Sequence, residues 1–179
     1  MRFLRTTIAL SLALLSGCSH VEPYRLDATQ ESAASSYQSA KILNNNKVDA
    51  VISALYLNDV YPHYSHKGAY FLVSIYTKEP SAIFFLSGAP YRGDNTYVLK
   101  RNSDSAISVT ELEEDDLLID LMPIGTRWAK YYYVTYPYKE GSPRLILTAN
   151  DGRKAILSFK KPNINVMLNG NTVGKVGRQ

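Results

Sequence analysis

From residue 69 onward apolar and polar positions alternate with a period of two, the repeat of a strand with one buried face, and turn residues interrupt the pattern at short intervals. In residues 69–77, Phe71, Val73 and Ile75 share a face with Ser74 opposite. The same reading predicts strands at 81–86, 97–101, 106–112, 117–122, 128–136, 144–148 and 154–160. Residues 48–57 fit either a helical face or a strand, and the β-branched residues with Tyr56 tip the reading to strand.

One hairpin tests its own register, because a slip of one residue would turn every side chain to the other face. A three-residue loop, Asn150-Asp151-Gly152, sets Leu145 against Leu157 and Leu147 against Ala155, whereas a two-residue loop sets Leu145 against Ser158. The first register keeps apolar residues together and puts Gly152 where a type I turn with a bulge needs a positive φ. Short strands, tight turns and no alternating βα units predict a mainly β domain, an antiparallel β-sandwich of immunoglobulin-like type. Its expected core is Phe71, Val73, Ile75, Phe84, Ile119, Leu121, Trp128, Leu145, Leu157 and Phe159.

Ahead of the strands, Asp27 offers an N-cap with Gln30 in a capping-box position. The Ala- and Ser-rich stretch that follows, as far as Asn44-Asn45-Asn46, reads as a short helix or as a spacer without fixed structure. Its apolar face is only Ala33, Tyr37, Ala40 and Leu43. After Pro162 the chain is an end segment or a further hairpin about Asn169-Gly170.

The N-terminus changes the picture most. Arg2 and Arg5 precede a ten-residue apolar run, 6–15, followed by the small residues Ser16 and Gly17 and by the chain's single cysteine, Cys18. The run is too short to cross a bilayer core, which takes about 20 helical residues. Leu15-Ser16-Gly17-Cys18 resembles the bacterial lipobox at all four positions. The resemblance implies a lipoprotein precursor: residues 1–17 are a signal peptide, the Cys18 thiol receives a diacylglyceryl group, and cleavage then exposes the Cys18 amine for a further acyl chain. Ser19, where aspartate commonly retains such proteins in the inner membrane, points to the outer membrane, with the domain facing the periplasm. The predicted organisation is a signal peptide at 1–17, a lipidated tether with a possible helix at 18–46, a β-sandwich at 47–162 and a tail at 163–179.

Composition narrows the function. A chain that is 45% hydrophobic and 20% charged is globular in type. Without Arg2 and Arg5 it carries 18 basic against 16 acidic side chains, too balanced and too scattered to recruit nucleic acid. His63 and His66 have the spacing to share a metal ion, but two ligands do not complete a site, so no metal is expected. The carboxylates Glu111, Glu113, Glu114, Asp115 and Asp116 lack the spacing and central glycine of a calcium loop and read as a solvated turn. Tyr131, Tyr132, Tyr133, Tyr136 and Tyr138 serve as core filling or, where rings face outward, as a contact surface for protein or glycan.

No nucleophile motif and no cofactor fingerprint is present, so the chain is read as noncatalytic and without cofactor. The expected function is binding of another envelope component, with glycan or small-ligand binding as the alternative. Leu57-Asn58, with Phe71-Leu72-Val73-Ser74-Ile75-Tyr76 after an intervening loop, resembles the early strands of the small β-sandwich lipoprotein of type VI secretion membrane complexes. That resemblance spans one strand pair and implies a place in such a complex.

Overall fold

A computed structural model describes residues 27–64, 67–85 and 96–160. Cys18, the lipobox and the proposed hairpin about Asn169-Gly170 lie outside the described residues. Among these, nine strands form two sheets. The first holds five strands in the order β1 (Tyr37–Asn44), β2 (Lys47–Tyr56), β3 (Ala69–Thr77), β7 (Lys130–Tyr136) and β6 (Ser108–Leu112). The second holds four, β4 (Ala82–Phe84), β5 (Thr96–Arg101), β8 (Arg144–Ala149) and β9 (Lys154–Ser158). The domain is therefore mainly β, as expected. Its pairing is mixed rather than antiparallel throughout, because β4 runs parallel to β5.

The two sheets share one core. Phe71, Val73 and Ile75 of β3 and Tyr132, Val134 and Tyr136 of β7 meet Leu99, Leu145, Leu147 and Leu157 from the second sheet. Phe71 packs on Tyr56, Tyr136 and Phe159 at 4.9, 5.8 and 5.5 Å between ring centres, within the usual aromatic range. The Tyr136 hydroxyl donates across the gap to the Leu99 carbonyl at 3.4 Å. The β8–β9 hairpin has the expected register, Leu145 opposite Leu157 and Leu147 opposite Ala155, with Gly152 at φ +86°.

The capping box at Asp27 also forms: the Gln30 amide donates to the Asp27 carboxylate, and the Asp27 amide donates to the Gln30 side chain. Helix α1 spans only Ala28–Ser36, however. Residues 37–44, expected to continue a helix or spacer, are instead β1, paired along β2. Asn45 and Asn46, both at positive φ, close this hairpin with a two-residue turn whose twist matches the strands. The five-stranded sheet thus begins at Tyr37 rather than at residue 47.

Residues 117–122 are not a strand. They form part of the connection between β6 and β7, with a single 3₁₀ turn at Ile119–Leu121. Ile119 and Leu121 are half-buried in a second apolar cluster outside the main core. Phe84 is half-buried, while its neighbour Phe85 enters the core and stacks on Tyr132. Trp128, expected in the core, is 70% exposed.

Candidate functional site

The outer face of the five-stranded sheet is covered at one end and open beside it. α1 and a short helix α2 (Leu57–Val60) bring Ala33, Leu57 and Val60 over Leu55 and Leu72, the β6–β7 connection adds Met122, and β7 adds Tyr131. Asn58 secures this end. Its side-chain amide donates to the Tyr64 and Gly68 carbonyls at 3.2 and 2.8 Å, and its oxygen accepts from the Tyr70 amide at 2.8 Å. The Leu57-Asn58 pair that contributes to the type VI resemblance therefore opens a helix, and Asn58 acts as a structural tie.

Beside the covered end lies a cleft of about 740 Å³. Its floor includes Ser39, Ser53 and Ser74, which stand directly opposite one another on β1, β2 and β3. The Tyr37 hydroxyl donates to Ser53 Oγ and Ser53 Oγ donates to Ser39 Oγ, each at 3.0 Å, so these hydroxyls form a row across adjacent strands. Val51 and Tyr76 flank the row, and Lys78, paired with Glu79, closes one end.

Ile124, Thr126 and Trp128 of the β6–β7 connection form the opposite rim. Tyr131, on the outer face of β7, fixes that rim. Its hydroxyl accepts from the Thr126 amide at 2.7 Å and donates to the Thr126 carbonyl at 3.1 Å. Asp116 tightens the preceding turn by accepting from the Leu118 amide at 2.9 Å, and Met122 is buried between the two ties. Between these anchors Leu117, Ile124 and Trp128 are 82%, 66% and 70% exposed. The Arg127 guanidinium lies over the Trp128 ring, 4.8 Å from its centre, a cation–π contact that orients the indole.

The other candidates resolve differently. His63 is exposed and packs at 4.5 Å on Tyr64, and His66 lies outside the described residues. No group of three metal-ligating side chains occurs among the described residues. Glu111 pairs with Lys130 at 2.8 Å, while Glu113, Glu114 and Asp115 are exposed on the β6–β7 connection. Tyr132 and Tyr136 fill the core, and Tyr131 and Tyr133 face outward but belong to the second apolar cluster. Tyr138 is half-buried, and the exposed aromatic at the cleft is Trp128, which lines it together with Tyr37 and Tyr76. An indole bordered by Arg127 and Thr126 on the polar sequence 125–127 was the available signal.

On the far side of α1, Asp59 lines a polar cavity of about 500 Å³ together with Ser32, Gln38 and Lys160. Burial disfavours the charged carboxylate there and pushes its pKa up to about 6. The native state then holds this proton more tightly than the unfolded chain, whose aspartate titrates near 3.9. Stability falls as pH rises from about 4 through about 6 and stays reduced above that window. Asp59→Asn is expected to raise stability at pH 7 by roughly 1 kcal/mol, a figure discounted for the half-exposed position, and to change nothing below pH 4. Urea midpoints measured at both pH values check this; a gain of equal size at pH 3.5 would contradict it.

Comparison with family models, curated proteins and solved structures returns no match to this chain.

Proposed function

We propose that this chain is a lipid-anchored protein of the bacterial cell envelope whose β domain binds another envelope component without catalysis. The observation that carries the binding half is the pinned rim, which holds Ile124 and Trp128 in solvent at the edge of a cleft on one sheet face. Apolar side chains held out by hydrogen-bonded backbone retain their exposure at an ordering cost already met, which favours association. The anchoring half is supported by Leu15-Ser16-Gly17-Cys18. In this reading Cys18 carries the lipid, the anchor sits in the outer membrane, and the two-sheet domain is an immunoglobulin-like sandwich facing the periplasm.

Chemical crosslinking in intact cells, followed by purification, is expected to recover one discrete partner. Finding only monomer, with full function kept by an unanchored periplasmic version, would count decisively against the proposal.

The row of hydroxyls on Ser39, Ser53 and Ser74 favours a second reading, glycan or small-ligand binding in the same cleft. A saturable thermal stabilisation by peptidoglycan fragments or sugars would support that reading.

A further inference from the structure

We infer that this cleft takes a saccharide bearing a carboxylate, with the carboxylate at Lys78, an assignment that deepens the glycan reading above and rests on it. The observation that carries it is Ser74. Its side chain lines the cleft and the residue is 5% exposed, yet among the described residues its hydroxyl has no hydrogen-bond partner. A buried hydroxyl is costly to leave unpaired, and one that opens on a cleft is satisfied by the cleft's occupant. The neighbouring hydroxyls are only partly spent. Ser53 accepts from Tyr37 and donates to Ser39, which leaves the Ser39 proton free to donate and the Tyr37 oxygen free to accept. Donors and acceptors side by side match the adjacent hydroxyls of a sugar, each of which is both.

Trp128 supplies the apolar half of such a site. A sugar ring presents a face of C–H bonds edged by hydroxyls, so it packs on an aromatic ring while its edge hydrogen-bonds. The indole stands on the rim opposite the hydroxyl row, 70% exposed, with Arg127 over one face. An extended peptide is less well served. The floor strands β2 and β3 are paired on both sides, so they offer it side-chain hydroxyls and no free backbone edge.

Charge places the carboxylate. Lys78 is the charged residue of the lining, Arg127 lies beside Trp128, and Lys41 stands exposed opposite Val51. Among the described residues no carboxylate lines the cleft, those of the β6–β7 connection included. Two carboxylates adjoin Lys78. Asp49 is held by Arg153 at 2.7 Å, and Glu79 meets the Lys78 ammonium only at 3.7 Å, in an exposed pair that is weak and readily exchanged for a ligand. Lys78 lies four residues along the chain from Ser74, about 13 Å at strand spacing, which suits two linked sugar rings better than one.

The test titrates the full lipoprotein, held in a sugar-free detergent, and reads Trp128, the chain's single tryptophan, by intrinsic fluorescence. Thermal shift on the same samples covers a ligand that leaves the indole unperturbed. The probes are two matched pairs: N-acetylglucosaminyl-N-acetylmuramic acid against diacetylchitobiose, which lacks the lactyl carboxylate, and digalacturonic acid against galactobiose. At least one acidic probe is expected to bind saturably and on the order of tenfold tighter than its neutral counterpart, with the difference shrinking as salt rises. Lys78→Gln is expected to bring that probe down to its neutral counterpart, and Ser74→Ala to weaken both members of the pair. Urea midpoints of the two variants separate loss of binding from loss of fold.

Neutral sugars binding as tightly as acidic ones, or an acidic preference that survives Lys78→Gln, overturns the inference and leaves the glycan reading standing. Saturation by lactate alone at the affinity of the acidic sugars overturns it as well. No response to any of the four sugars removes the inference and the glycan reading together, and leaves the envelope-partner proposal to its crosslinking test.

Discussion

Cys18→Ser is expected to leave the chain without lipid and, after fractionation of cells, out of the membrane. A thiol ionises near neutral pH and is a strong nucleophile toward an alkylating lipid donor, whereas a serine hydroxyl is neither. The retained energy is large, because each buried methylene contributes roughly 0.8 kcal/mol and the two or three chains of a bacterial lipoprotein together hold essentially permanently. The effect should therefore approach all or none. Intact-mass spectrometry of the native protein should show an N-terminus at residue 18 bearing acyl chains. A bare thiol there, or a serine variant that still fractionates with membranes, would defeat the anchoring proposal.

The second large effect concerns folding. Arg101 is 1% exposed, yet it ends β5 as a charged residue inside the domain. Its guanidinium donates to the Pro137 carbonyl at 3.1 Å and the Lys139 carbonyl at 3.0 Å, and its nearest carboxylate oxygen, on Asp104, is 3.7 Å away. Lys139 in turn donates to Asp104. Arg101→Met keeps much of the volume but strands two carbonyls and weakens the neutralisation of Asp104. Breaking a buried pair in this way costs about 3 to 5 kcal/mol. The lower end applies, because Arg101 Nε and Asp104 Oδ2 already have no hydrogen-bond partner. With urea slopes of about 1 to 3 kcal/mol per molar, the midpoint should fall by roughly 1 to 3 M. A loss under 1 kcal/mol would show that the cluster is not a structural support.

Local signals were the most legible in the sequence. The capping box at Asp27 and Gln30 and the register of the β8–β9 hairpin are set by residues a few positions apart, and both formed as read. The β1–β2 hairpin had a local signal too, Asn45-Asn46, since asparagine tolerates the positive φ that a two-residue hairpin turn requires. The Ala- and Ser-rich sequence before it masked that signal, and partnership with β2 overrode its weak helical pattern.

The rim was misread for a physical reason. Ile119, Leu121 and Trp128 are apolar, and apolarity alone does not distinguish the main core from a second cluster, where Ile119 and Leu121 pack, or from a position held outward by ties to other residues, as Trp128 is. Those ties, Tyr131 to Thr126 and Asp116 to Leu118, hold the backbone conformation that displays the side chains. The hydroxyl row was equally hidden, because Ser39, Ser53 and Ser74 become neighbours only once three strands are in register. Arg101 carries no signal of burial in its own surroundings, its carbonyl partners lying 36 and 38 residues away.

Arg153 has a mechanical consequence. Its guanidinium joins the Leu43 carbonyl at the far end of β1, the Asp49 carboxylate on β2 and Asp151 in the β8–β9 turn, at 2.8, 2.7 and 2.6 Å. In the lipid-anchored reading, tension from the membrane reaches the domain first through α1 and then through edge strand β1. Unwinding of α1 would absorb the first extension, β1 would then come away from β2 starting at Tyr37, and the tie at Leu43 would be the last contact of that strand to yield.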